Sequence, residues 1–512
     1  MAILVFGALD LMRRVHQEHD GLSSSPSARS RSPLGLWSSR EKMSHDDYDA
    51  RSEQNAAYLR RVARGAPSQP RRFYIYPWPE DVVNRWPIRS AHHRPSFFPV
   101  YGLNHGLGPV VDQAQGRHLT HQYSLFRTFL TRLERSPLRT LNASEASLFF
   151  IPYDLGMDSS SRQSDGALAR TNCPKKPTAE RLLAASPYFA ASRGRDHFIL
   201  HSINQMMLHY AYLDGCMDLY QLCFNCTKLS LDAYGATPEL YSVVANTPYL
   251  HHRWVSVPFP SDFHMSASVS RPLWRFQGGG GAAEADCFSS RPLLLAYVGS
   301  EQVTAKKDRA LRVTIREQCL RLQQLQPGSR LCEAVALDTH ESHALLPAAL
   351  RDLAAAANDN ADANSNAAAN TAAAAATNLY EHARLCLMPG GDFPTRKGFF
   401  DALLSGCVPV IFQRASASSQ WPWHWSDGDA AEAERVAEAC VVHVPRSEFM
   451  NDAFLAVQRL AGLAANATFL AAKRRCIDSV ALRLQYSDPA KPAFPSARPD
   501  DAVDVVLRRL LY

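Results

Sequence analysis

The sequence predicts an α/β protein with two domains facing a cleft, on three observations. Strand-like and helix-like runs alternate along the chain, a strand, glycine, helix unit of the nucleotide-binding kind spans 292–325, and 512 residues exceed what one hydrophobic core usually serves. The first strand is Phe73-Tyr-Ile-Tyr76, an aromatic and β-branched run stopped by Pro77 and Pro79. Residues 122–133 have a helical period, and 146–151, ending before Pro152, read as a buried strand. Strands follow at 196–200, 254–257 and 292–298, the last ending in Gly299 ahead of a helix over 307–325. Beyond 379–389 come a loop, a helix over 397–404, a buried strand over 408–412 and a closing amphipathic helix over 500–511 with Val503, Val506, Leu507 and Leu510 on one face.

Between these elements the composition shifts. Residues 20–70 are rich in Ser, Arg, Gln and Pro and read as a disordered stem, with order expected from near Arg71. The glycine run 278–281 reads as an interdomain linker, which sets a boundary near residue 285. Residues 354–377 are almost entirely Ala and Asn, a low-complexity loop without chemistry.

A composition of 46% hydrophobic, 20% charged and 10% aromatic residues excludes global disorder, collagen-like repeats and a multi-span membrane protein. The 55 basic and 49 acidic residues leave +6 without a dense Lys/Arg block, so nucleic acid is not implied and phosphate-bearing small molecules remain open. Eleven cysteines are too dilute for a small disulfide scaffold. Cys223-Phe-Asn-Cys226 lacks a second ligand pair at zinc-finger spacing and reads as a disulfide or two buried thiols. Sequons begin at Asn142, Asn225 and Asn466. The apolar stretch 1–12, followed by Arg13-Arg14, is shorter than the ~20 residues of a span, and its charge falls on the wrong side for a signal peptide.

The chemistry concentrates in 384–411. A strand leads into Pro389-Gly-Gly-Asp392, then Thr395-Arg-Lys397 opens a helix, and a second buried strand follows. Gly390 and Gly391 let backbone approach a ligand, and the amides of the helix N-terminus attract phosphate. Thr395, Arg396 and Lys397 add a hydroxyl and two cations for a diphosphate, and Asp401 is placed to accept from a ribose. The pattern by itself serves a phosphate site and an ordinary structural turn equally well.

This segment resembles the signature of the exostosin-like glycosyltransferases: a strand ending in Cys386-Leu-Met-Pro389, then Gly391-Asp392, Thr395-Arg396, Phe400-Asp401 and Gly406-Cys-Val-Pro-Val410. Further pieces fall in the family's order: Phe73–Tyr76, Arg139-Thr140 ahead of 145–152, Gly194-Arg-Asp-His-Phe198, Val257-Pro258, and 291–299 with Ile315-Arg-Glu-Gln-Cys319. Gln420-Trp-Pro-Trp-His424 and Tyr486-Ser-Asp-Pro489 are similar to the plant xyloglucan galactosyltransferase branch.

The resemblance implies a GT-B-like fold of two Rossmann-like domains around a central cleft. The acceptor-binding domain would span 71–285 and the nucleotide-sugar domain 286–475, the latter interrupted at 353–377, with closing helices over 476–512. It implies an inverting transferase that moves a sugar, galactose first, from a UDP-sugar to an oligo- or polysaccharide or a glycoprotein glycan, with no metal and no resident cofactor. Glucuronate, xylose or arabinose transfer, or an inactive glycan-binding protein of the same fold, are the alternatives. Donor contacts fall to Gly299, Arg316, Gly390, Gly391, Asp392, Thr395, Arg396, Lys397 and Asp401, while Arg312 is a further diphosphate candidate that reads more readily as a solvated helix-face arginine. The candidate bases are Asp196, His197 and Asp154, although Asp196 serves equally as a helix cap or the partner of Arg195. Trp421, Trp423 and Trp425 fit sugar stacking and core packing alike. The expected location is the Golgi lumen, as a type II membrane protein with an incomplete or atypical N-terminus in which 1–70 is a disordered stem or an incomplete anchor, anchored or in a homo- or hetero-oligomer.

Overall fold

The computed structural model describes residues 71–83, 103–113, 115–155, 158, 173, 175–205, 223–233, 253–266, 291–301, 303, 305–326, 331–336, 379–490 and 501–512. The stem, the glycine run, the boundary near 285 and the Ala/Asn insertion lie outside them. Strand β1 (Arg72–Ile75) is followed by an antiparallel hairpin, β2 (Val110–Asp112) and β3 (Arg117–His118), and by helix α1 (Leu125–Glu134). Then come β4 (Ala146–Ile151), helices α2 (Lys176–Ala184) and α3 (Pro187–Ser192), β5 (His197–Leu200), β6 (Thr227–Ser230) and β7 (Trp254–Ser256). The order is β1-β4-β5-β6-β7, all parallel.

Parallel strands are covered on both faces and therefore read as unbroken apolar runs. Leu148, Phe149, Phe150 and Ile151 of β4 are buried in succession, and α1 lays Phe126 and Phe129 over the Phe150 ring at 6.2 and 6.4 Å. This helix starts three residues later than its period suggests, because His121 to Ser124 close a turn in which the Ser124 amide donates to the His121 carbonyl.

The second sheet is built from β8 (Leu293–Gly299), α4 (Lys306–Leu325), β9 (Cys332–Ala336), β10 (Ala383–Met388), α5 (Lys397–Ser405), β11 (Val408–Ile411), α6 (Ala430–Cys440) and β12 (Val442–His443). Its order is β12-β11-β10-β8-β9, again parallel throughout. After β8 the chain adds β9 on one side and β10 on the other, so the winding reverses between β8 and β10. In open α/β sheets a ligand crevice forms outside the carboxyl ends at such a reversal. The two sheets give the Rossmann-like pair that a GT-B fold requires, and residues 70–511 form one compact unit.

Helices α7 (Ala453–Ala465), α8 (Ala467–Val480) and α9 (Ala502–Leu511) complete the chain, and the expected limit at residue 475 is corrected because it falls inside α8. Helix α9 returns to the first sheet, where Arg132 donates to Asp501 at 2.8 Å and Arg71 to the Leu511 carbonyl at 2.8 Å. Disulfides join Cys223–Cys226, Cys319–Cys332, Cys386–Cys407 and Cys440–Cys476, and Cys173 is also bridged. The third of these ties β10 to the start of β11.

Arg291, buried ahead of β8, donates to the carbonyls of Tyr380, Ala383 and Ser405 at 3.0, 2.7 and 2.6 Å. It gathers the amino ends of β8 and β10 and the last turn of α5 on one guanidinium. Removing it leaves three carbonyls without their donor, each costing on the order of 1 kcal/mol. Arg291→Ala should therefore lower unfolding stability by about 3 kcal/mol, read as a lower urea midpoint with an unchanged m-value.

Candidate functional site

At the switch point the chain leaves β10 through Pro389, Gly390 and Gly391. A methyl group on Gly391 would sit 2.9 Å from Nη2 of Arg312, and one on Gly390 would sit 2.7 Å from Nε2 of Gln413. Glycine is therefore required here for a guanidinium to lie against the turn. Arg312 donates through Nε to the Gly390 carbonyl at 2.8 Å and through Nη1 to the Ser300 carbonyl, bridging the ends of β10 and β8. It is buried, which corrects the solvated helix-face expectation: position 312 of α4 points at the sheet, in line with Leu311, Ile315 and Cys319.

Arg396 makes the same bridge from the other side, donating to the Val298 carbonyl at 2.9 Å and the Pro389 carbonyl at 3.3 Å. Two cations thus converge on one turn. Burial, and then the charge of Arg396, hold Arg312 down to about 10. Arg396 is also the residue ahead of α5, and no side chain caps that helix, so its first amides add positive potential at the same place.

Other expected donor contacts are engaged differently. Arg316 pairs with Glu301 one turn along α4, although it remains about one-third exposed. The Thr395 hydroxyl, buried, donates to Asp232 at 3.0 Å and accepts from Asn204 at 3.2 Å, so it reaches across to the first sheet. Lys397 and Asp401 are corrected outright. The Lys397 ammonium donates to Asp262 at 2.6 Å and to both Asp401 oxygens at 2.9 and 2.8 Å, and the Asp262 amide donates to Asp401 at 3.0 Å. The cation meant for a diphosphate and the carboxylate meant for a ribose neutralise one another between the sheets.

The candidate bases separate by the strand end they occupy. Asp196 and His197 lie at the amino end of β5, where His197 pairs in register with Phe149, stacks on it at 4.9 Å and meets the edge of Phe189 at 5.1 Å. Nδ1 of His197 is 2.6 Å from Asp196 and Nε2 is 2.7 Å from the Tyr76 hydroxyl. Burial pulls the Asp196 carboxyl up, but the hydrogen bonds of His197 and Ser192 together with the His197 charge outweigh it, and the group sits below the usual carboxylate range. The carboxyl end of β5 is three residues, roughly 10 Å, away. This pair is corrected to a packing and hydrogen-bonding role under α3. Asp154 follows the carboxyl end of β4, buried, and accepts from the Ser202 amide at 3.1 Å beside the His201 ring.

Sequence reasoning missed the residues just beyond β5 and β6. Asp232 accepts from the Asn204 amide group, from the Gln205 backbone at 2.7 Å and from Thr395, which ties this carboxylate of the first sheet to the residue before Arg396. Burial, then Asp392 and Asp232, drive the Tyr123 hydroxyl up, which brings those three groups to one place. The available signal was weak, because β6 reads Thr-Lys-Leu-Ser and shows no apolar run. Next to Asp232, Gln420 clasps Ala233 through both amide atoms, at 3.0 and 3.2 Å. Trp421 donates to Ser256 at 2.7 Å and to the Leu231 carbonyl at 3.1 Å, and both Trp421 and Trp425 are core residues. Among the described residues no group of three or more His, Cys, Asp or Glu side chains is arranged to hold a metal.

The exostosin GT47 domain matches residues 67–437, and the chain belongs to that family. It is 22% identical to a probable xyloglucan galactosyltransferase of Arabidopsis thaliana over 63% of this chain and 58% of that protein. A xyloglucan-specific galacturonosyltransferase of the same plant is 23% identical over 63% and 41% of the two chains. Another probable xyloglucan galactosyltransferase from it is 22% identical over 85% and 81%. The chain thus spans about half the length of the first two relatives. Among solved structures, a GtfA/B complex is similar at a TM-score of 0.25 and 8% identity, over 60% of this chain and 61% of that one.

The Lys397 cluster predicts a pH dependence. Burial, with Asp262 beside it, pushes Asp401 up to about 6 against an ordinary 3.8. The folded state then binds more protons than the unfolded state between pH 4 and 6, so this group's contribution to stability falls as pH rises through that window. Urea titrations should show the fall in the natural protein and a flatter profile in Asp401→Asn. A second expectation concerns β5: His197→Ala should lower unfolding stability by an amount typical of a cavity in a packed core, about 2–4 kcal/mol, read as a lower urea midpoint, and leave donor affinity unchanged.

Proposed function

We propose that this chain is an inverting, metal-independent glycosyltransferase that moves galactose from UDP-galactose to a xyloglucan-type polysaccharide. One observation carries the reading: Arg312 and Arg396 converge on the glycine turn at the β8–β10 switch point, at the open N-terminus of α5. Two guanidiniums and a helix dipole match the charge that builds on UDP as the sugar bond breaks, the task a divalent cation performs elsewhere. In the hydrogen-bonding pattern of the site each guanidinium spans two carbonyls, so a diphosphate would arrive at donors already oriented.

Inversion needs the acceptor hydroxyl to attack the anomeric carbon from the face opposite UDP while a base takes its proton. Asp154 and Asp232, beyond the carboxyl ends of β4 and β6, are the carboxylates we assign to that side, with Asp232 tied through Thr395 to the residue before Arg396. The relatives' names support a galacto-configured donor and a xyloglucan acceptor, and the galacturonosyltransferase among them makes UDP-galacturonate the second reading. We place the protein in the Golgi lumen, supported by its disulfides, which persist in oxidising compartments. Among the described residues no single helix is long and apolar enough to cross a membrane.

The test is UDP release from a panel of UDP-sugars, with and without EDTA and xyloglucan oligosaccharides. Acceptor-stimulated release from UDP-galactose, unchanged by EDTA, is expected. Release from UDP-galacturonate alone would move the donor, and no turnover with any donor would overturn the reading. Arg396→Ala should lower turnover about 10²- to 10³-fold, the cost of losing one donor to developing charge, in a protein that still folds, with stability lower by about 2 kcal/mol for the two carbonyls left without their donor.

A further inference from the structure

The three sequons occupy different structural settings. Asn466 lies in the exposed run 465–468 between α7 and α8, and its Oδ1 accepts from the Phe469 amide at 3.0 Å, capping α8. Thr468 is exposed as well. Asn142 is exposed ahead of β4, where its Oδ1 accepts from the Ser144 amide at 3.1 Å and its Nδ2 donates to Glu145 at 3.1 Å. An asparagine amide carries two N–H bonds and one carbonyl, and attaching a sugar consumes only one N–H. Both caps and the Glu145 contact therefore survive attachment.

Asn225 differs in the turn that holds it and in the burial of its hydroxyl residue. Its turn is closed by the Cys223–Cys226 disulfide, and the Lys228 ammonium donates to the Phe224 and Cys226 carbonyls at 2.9 and 3.1 Å. Arg253 donates to the Asn225 carbonyl, and Asn225 Nδ2 donates to the Arg193 carbonyl at 3.1 Å. The hydroxyl residue of the sequon, Thr227, is buried in β6. A transferring enzyme must reach both the amide and that hydroxyl residue.

We propose that Asn142 and Asn466 are N-glycosylated and that Asn225 is not, the disulfide-closed turn withholding it. In the transfer the Asn Nδ2 loses one proton and bonds to the anomeric carbon of an oligosaccharide carried on a polyprenyl diphosphate. The bond from that carbon to the diphosphate oxygen breaks, and the lipid diphosphate leaves with the electron pair. The inference rests on the luminal location proposed above and is independent of the donor sugar.

The experiment is peptide mass mapping of the protein isolated from its own cells, before and after peptide-N-glycosidase, alongside thiol alkylation with and without reduction. Glycans at 142 and 466, an unmodified Asn225, and the eight cysteines of the four disulfides alkylating only after reduction are expected. Asn142→Gln and Asn466→Gln should each remove one mobility shift and Asn225→Gln none. Cysteines protected until reduction together with a bare Asn466, a bare Asn142 or a glycan on Asn225 would overturn the inference with the location intact. Thiols that are all accessible without reduction would overturn both.

Discussion

One buried ammonium organises the space between the two sheets. Lys397 stands in the first turn of α5, yet its charge is spent on Asp262 from the first sheet's connections and on Asp401 one turn along its own helix. Burial would push the ammonium down, and the two carboxylates more than reverse it, raising its pKa. A single cation facing two carboxylates in a dry setting is costly to break from either side, because whichever group is left behind is an uncompensated charge. The cluster therefore fixes where α5 begins, and with it the direction of Arg396 and of the helix's first amides. Thr395 to Asp232 and Gln420 to Ala233 add neutral ties along the same seam. With the neighbouring lysine neutralised in this way, the guanidiniums of Arg312 and Arg396 are the cations gathered at the glycine turn.

Legibility in the sequence followed physical cause. Strands buried on both faces, such as β4, β8 and β10, announced themselves as apolar runs, and β4 was bounded to the residue. Strand β6, with alternating polar side chains, and the two-residue β12 carried no such run. At the site, the glycine turn and Arg396 were readable because close backbone approach and a helix start leave marks in residue type. The partners of those residues were not readable, since nothing in the spacing of Asp262 and Lys397, or of Asp232 and Thr395, says that they meet across a seam. Arg312 and Arg316 illustrate the limit most sharply. One helical turn separates them, and only the orientation of α4 on its sheet decides that the first bridges two strand ends while the second pairs with Glu301.

The same logic explains the histidine beside Asp196. A Gly-Arg-Asp-His box at a strand invites a catalytic reading, and the Asp196, His197, Tyr76 arrangement has the look of a proton relay. Its position at the amino end of β5 decides otherwise, since aromatic rings enclose it and the crevice lies at the opposite end of the strand. A hydrogen-bonded acid and imidazole stabilise a packed interface as readily as they move protons, and location within the sheet tells the two apart.

Helix α9 lies on α1, and the Arg132–Asp501 pair links residues 369 positions apart. At roughly 5–20 residues per second, a ribosome needs about 20–75 s to make the partner of Arg132 after Arg132 itself has emerged. Throughout that interval the first sheet waits with one flank open, so the half of the molecule that is synthesised first is the half that is finished last. Chaperone occupancy during translation should accordingly fall on the early half of the nascent chain.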